Sequence, residues 1–212
     1  MRKVISVLAT MAAVLVATVG VGEAQSPANK KTDKLIYRAQ QTTSGIRAAN
    51  LQVKKTLESY NYIVEGKAQD STAEYKKLVK DIDKCRSSRN DVRVKAESMQ
   101  KVADKFFLDW EESLAGFNGE DMRAKSEGRM NETLENYNKI FEAGGKAGAD
   151  FDTFIASLDD QVLYLGQNLN PGGIAELTDE AATLNQQADE FFKSIDETIQ
   201  VAVKYSTSLE PQ

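Results

Sequence analysis

Residues 177–205, LTDEAATLNQQADEFFKSIDETIQVAVKY, set Leu177, Ala181, Leu184, Ala188, Phe191, Ile195, Thr198, Ala202 and Tyr205 at alternating steps of four and three. A helix turns once in 3.6 residues, so those steps hold one stripe on one side. Asp179, Glu180, Asp189, Glu190, Lys193, Asp196 and Glu197 fill the positions between and face away from it. This is the pattern of a helix packed along a seam shared with other helices.

Three earlier segments repeat it. The first reads Leu35, Ala39, Thr42, Ile46, Ala49, Val53, Thr56, Tyr60, Ile63. The second runs from Tyr75 through Leu78, Ile82, Cys85, Arg89, Val92, Ala96, Met99, Ala103, Phe106 and Trp110 to Ser113 and Phe117. The third runs from Thr133 through Tyr137, Ile140, Gly144, Ala147, Phe151, Phe154, Leu158, Gln161 and Leu165 to Asn168. Flanking residues such as Leu57, Val102, Leu134, Phe141, Phe192 and Ile199 widen each seam beyond two positions per heptad, which suits a bundle rather than a two-stranded rope. No alternating strand pattern interrupts them.

The expected fold is all-α, an elongated antiparallel four-helix bundle of coiled-coil character over residues 33–206, with helices at about 33–65, 72–116, 120–169 and 171–206. Residues 25–32 read as a polar linker and 207–212 as a disordered tail. Ser71 with Glu74 reads as a capping box, and Asn170-Pro171 as a cap followed by proline at the first helical position. Connections this short favour antiparallel neighbours. The second helix, roughly 67 Å long at 1.5 Å per residue, exceeds the first and fourth, so the ends of helices two and three are expected to project.

The first 24 residues say where the chain is expected to work. Arg2 and Lys3 precede an uncharged run from Val4 to Gly22, and Gly22-Glu23-Ala24 offers small residues ahead of a cut before Gln25. That is the layout of a secretory signal peptide, with an uncleaved membrane anchor as its main rival and a cytoplasmic protein as the other. The two leading readings place the body outside the cytoplasm, in the periplasm or cell envelope, with membrane contact only if the segment is retained.

Several function classes are excluded by composition. A net charge of −5 gives no basic face for nucleic acid. The stretch Lys76, Lys77, Lys80, Lys84, Arg86, Arg89, Arg93, Lys95 is interleaved with Asp81, Asp83 and Asp91 and reads as a solvated helix face. With no histidine, neither a ferritin-like di-iron site nor a c-type haem attachment nor a Ser-His or Cys-His pair can be written. No phosphate-binding glycine loop appears. No cofactor, metal or catalytic residue is expected. Cys85, the single cysteine, forms no intramolecular disulfide and reads as a small core residue.

Three features call for a reason. Arg89, Gln161 and Asn168 place polar groups on the seams, where they fix register or line a small polar site. Gly144, Gly145 and Gly148 fall mid-helix at about 1 kcal/mol each against alanine, which points to close approach of a neighbour, a bend or a hinge. Phe106, Phe107 and Trp110 read as core, with Phe107 and Trp110 forming a partner patch if the end projects.

The segments Phe106-Phe107-Leu108-Asp109-Trp110-Glu111-Glu112 and Leu158-Asp159-Asp160-Gln161-Val162-Leu163-Tyr164-Leu165-Gly166-Gln167-Asn168-Leu169-Asn170, with Ile174 and Leu177 after them, resemble a family of exported bacterial helical-bundle proteins catalogued only as a domain of unknown function. The resemblance covers most of residues 33–206 and implies an envelope-facing bundle, with no activity or ligand to carry over. It departs in one respect: members with a lipoprotein signal carry a cysteine at the cut, whereas Cys85 is the first here.

The expectation is a non-enzymatic structural or protein-interaction module of the envelope, with a protein partner or a second copy of itself. The alternatives are a periplasmic holdase and a ligand-binding bundle with a pocket around Arg89 and Gln161.

Overall fold

The computed structural model describes residues 27–208, which form α1 (Pro27–Val64), α2 (Ser71–Leu114), α3 (Glu120–Gln167), the short α4 (Pro171–Ala175) and α5 (Thr178–Ser208), with no strand among the described residues. The expected signal peptide, residues 1–24, lies outside the described residues, as do residues 209–212 of the expected tail.

The helices form an antiparallel bundle in the order α1, α2, α3, α5 around a common core. Lys31 near the start of α1 meets Asp109 near the end of α2 at 2.8 Å, whereas Thr56 near the end of α1 meets Cys85 near the start of α2 at 3.1 Å. Arg86 of α2 reaches Asp159 of α3 at 2.5 Å, and Trp110 reaches Ser126 at 3.0 Å. Ser194 of α5 donates to Asp150 of α3, and Gln161 donates to the Glu180 carbonyl at 3.2 Å. Asn61 and Asn185 exchange side-chain hydrogen bonds of 2.8 and 3.1 Å and close the ring between α1 and α5.

Every seam position of α1 and of the last arm, from Ile174 to Tyr205, is buried. The core has two parts. The larger gathers Val53, Tyr60, Leu78, Phe154, Leu158, Leu165 and Leu184 toward the α4 end. The smaller gathers Leu35, Met99, Phe106, Tyr137, Ile140 and Tyr205 toward the other. Buried threonines cost little, because Thr42, Thr56 and Thr198 return their hydroxyls to carbonyls one turn back at 2.8–2.9 Å. Cys85 is buried as expected, and desolvation pushes its thiol above the ordinary value despite the Thr56 hydroxyl beside it.

The boundaries depart from expectation in four places, the smallest being the expected tail, whose residues 207–208 still belong to α5. The linker reading of 25–32 fails from Pro27 onward, where α1 begins, because proline is compatible with a first helical turn and Lys31 is anchored by Asp109. The cap of α2 is Asp70, one residue before the expected Ser71; its carboxylate accepts from the Ala73 N–H at 3.0 Å. The fourth arm is not one helix: Asn170 caps α4 through the Gly172 and Gly173 N–H groups, the chain turns at Glu176-Leu177, and α5 restarts with Asp179 and Glu180 in its first turn. Thr178 donates to the Ala175 carbonyl at 2.8 Å and closes the last turn of α4.

Gly66 ends α1 in the left-handed region at φ 69, with Gly66 N–H on the Ile63 carbonyl at 3.0 Å and Lys67 N–H on the Tyr62 carbonyl at 3.1 Å. That paired arrangement is a Schellman cap, which favours glycine.

Candidate functional site

Two departures from continuous packing bear on function. The first is the middle of the α2–α3 interface. Facing Arg89, Val92, Arg93, Ala96 and Glu97 of α2, helix α3 presents Gly144, Gly145 and Gly148, and it runs through all three without a break. Between the helices lies a cavity of about 310 Å³, floored by Thr42, Ile46 and Ala49 of α1 and by Phe191, Ile195 and Thr198 of α5. That is the lower end of the range for small-molecule sites.

The expected close approach explains only one of the three glycines. At Gly148 a β-carbon would come within 2.7 Å of the Arg89 Nη2, so the guanidinium packs directly on the bare backbone. At Gly144 the nearest atom is the Thr198 Cγ2 at 4.0 Å, and at Gly145 nothing lies within 4 Å. Neither position is emptied by a neighbour. Their missing side chains open the cleft.

Arg89 stands at its mouth, half-buried, with its guanidinium 6.0 Å from the Phe151 ring centre and its Nε 3.7 Å from the Asp152 carboxylate. That separation is beyond hydrogen-bonding reach, and among the described residues the buried Nε has no hydrogen-bond partner. Arg93 is engaged, by Glu97 at 2.5 Å and by Asn90 at 2.9 Å.

Gln161 and Asn168 lie away from this cleft, Gln161 buried toward the α4 end and Asn168 half-buried at the cap of α3. Gln161 is buried, accepts from the Tyr60 hydroxyl and donates to the Glu180 carbonyl, so one side chain ties α1, α3 and α5. Burial, aided by the Glu180 charge, pushes the Tyr60 hydroxyl well above the usual tyrosine range. Asn168 ends α3, its N–H on the Tyr164 carbonyl at 3.0 Å and its side-chain amide on the same carbonyl at 3.3 Å. The structure therefore does not gather Arg89, Gln161 and Asn168 into one site.

The second departure is the α2–α3 end. Tyr205 near the end of α5 packs on Tyr137, well inside α3, so the first turns of α3 run past α5. Phe106, Phe107, Trp110, Tyr137 and Phe141 form a chain of ring contacts with centroids 5.0–5.8 Å apart, and the Trp110 N–H donates to Ser126. Phe107 and Trp110 are each half-buried in that group. The large apolar side chains standing in solvent here are Leu108, Phe117 and Met122, at 54, 39 and 57% exposure. Phe117 lay on the expected seam; Met122 had no seam to mark it.

One charged residue was misplaced by the sequence. Asp81, assigned to a solvated face, is 1% exposed between α1 and α2, with Lys84 at 2.8 Å and Lys55 at 3.8 Å. Its neighbours Asp83 and Asp91 are exposed. Among the described residues no three potential metal ligands cluster, and no helix is long and apolar enough to cross a membrane.

The chain belongs to the family described as protein of unknown function (DUF2959), which it matches over residues 23–209. No curated protein matches it, and no solved structure does.

Proposed function

We propose that this member of a family with no assigned activity is a non-enzymatic structural and protein-interaction module, exported to the periplasm or cell envelope, that presents its α2–α3 end to a protein partner. The observation that carries this reading is the overrun of α3 past α5, at an end where Phe117 and Met122 stand in solvent and Leu108 faces outward from the aromatic group. An apolar patch on a rigid end fits a protein contact. Acidic overall charge and the absence of histidine support a role without nucleic acid and without histidine-dependent chemistry. The export reading rests on residues 1–24. It predicts that protein recovered from the envelope fraction begins at Gln25; a chain recovered only from the cytosol with Met1 in place overturns it.

The test of the interaction reading is photo-cross-linking in intact host cells from positions 117 and 122, with the exposed Leu163 as control. One recurrent envelope protein captured from 117 and 122 but not from 163 supports the adaptor. A broad mixture of unfolded exported proteins overturns it in favour of a holdase, and capture of this chain alone replaces the foreign partner with self-association.

A further inference from the structure

We propose that the cleft between α2 and α3 binds one single-chain carboxylate amphiphile, its apolar chain in the cavity and its carboxylate on Arg89. Three observations converge on this. First, the cavity is apolar over most of its wall, through Ile46, Val92, Ile140, Phe151, Phe191 and Ile195, and its size suits one chain rather than two. Second, the space is not forced by packing. A β-carbon fits at Gly144 and Gly145, yet both stay bare in the middle of a long helix, where glycine is disfavoured. Third, the charge at the mouth matches one carboxylate. Arg93 is already held by Glu97 and Asn90, whereas among the described residues Arg89 has only Asp152, beyond hydrogen-bonding distance and itself 67% exposed. A guanidinium fork takes a carboxylate in two parallel hydrogen bonds, and Phe151 with Gly148 fixes the plane in which Arg89 offers it.

The cleft lies in the middle of the bundle, away from the projecting end, so this proposal and the adaptor reading fail separately.

Calorimetric titration of the full chain with dodecanoate, and with dodecanol as its uncharged counterpart, tests it. Dodecanoate is expected to bind with one-to-one stoichiometry, and dodecanol roughly tenfold or more weakly, as loss of a charge-assisted contact implies. Arg89→Gln is expected to remove the difference between acid and alcohol while leaving the alcohol's affinity in place. Gly144→Leu fills the cavity from a helix-favouring side chain, so it is expected to abolish binding of both with the melting temperature unchanged or raised. No saturable binding of dodecanoate overturns the proposal. Equal affinity for acid and alcohol overturns the role of Arg89, and undiminished binding by a folded Gly144→Leu chain overturns the location.

Discussion

The turns around Tyr60, Phe154 and Leu184 and the turns around Arg89 and Gly145 belong to the same four arms, yet one region is sealed and the other open. In the sealed region Tyr60, Phe154, Leu158 and Leu184 are fully buried, and the polar group among them, Gln161, has partners on two other helices. In the open region α2 turns Arg89, Val92 and Ala96 toward α3 and meets glycine, so all three remain half-buried. The seams of α1 and α5 continue unbroken through both. The difference teaches that heptad register sets where the helices lie, while side-chain volume on a single helix decides whether a given layer closes.

The largest effect that tests the contrast is removal of a ring from each region. Phe154→Ala leaves a void with no solvent access and is expected to lose about 3–5 kcal/mol. Phe141→Ala, a partly exposed ring on the cleft wall, is expected to lose under about half of that, since less area leaves water on folding. Urea denaturation of both variants measures it, and equal losses would mean that the cleft is closed in solution.

Next comes the polar tie of the sealed region. Gln161→Leu strands the Tyr60 hydroxyl without its acceptor and is expected to lose about 1–3 kcal/mol. Adding Tyr60→Phe removes the stranded group, so the double variant is expected to lose less than the two single losses together. Additive losses in that cycle would reduce Gln161 to a packing residue.

Alkaline pH separates the regions by a different property. Burial raises the hydroxyls of Tyr60, Tyr137 and Tyr205 above the ordinary tyrosine value, whereas no tyrosine lines the cleft. A raised folded value means that the unfolded chain gives up its proton first. The stability these groups contribute is therefore present in full below about pH 10 and falls above it, by about 1.4 kcal/mol per pH unit for each group, until the folded value is reached. Tyr60→Phe is expected to flatten the slope by one such share, and Arg89→Gln to leave it unchanged, in denaturation midpoints followed from pH 9 to 11.

How much of this was legible follows from the same physics. Register was readable because apolar spacing is local: every seam position of α1 and α5 is buried. The break at Glu176-Leu177 was not, because Ile174, Leu177 and Ala181 keep the three- and four-residue steps across it. Helix α1 starts early through a long-range pair, Lys31 with Asp109, which no local pattern announces. Asp81 looked like its solvated neighbours because its burial depends on where α1 lies, and Asp70 and Ser71 are adjacent residues that are both competent to cap. Arg89 and the three glycines stand out in the sequence as needing a reason, but only the folded arrangement shows that one glycine is crowded and two are not.

That last distinction carries the smallest expected effect and the sharpest sign. Alanine at Gly145 meets nothing within 4 Å and removes the backbone freedom that glycine loses on folding, so Gly145→Ala is expected to stabilise the chain by up to about 1 kcal/mol. Alanine at Gly148 brings the same helical gain but sets its methyl 2.7 Å from the Arg89 Nη2, so the guanidinium must leave the Phe151 ring. Gly148→Ala is therefore expected to gain less than Gly145→Ala or to lose stability, and pairing it with Arg89→Ala is expected to restore the gain. Identical shifts at the two positions, read as denaturation midpoints, would mean that Arg89 does not rest on α3, and the carboxylate seat built on its fixed orientation would go with it.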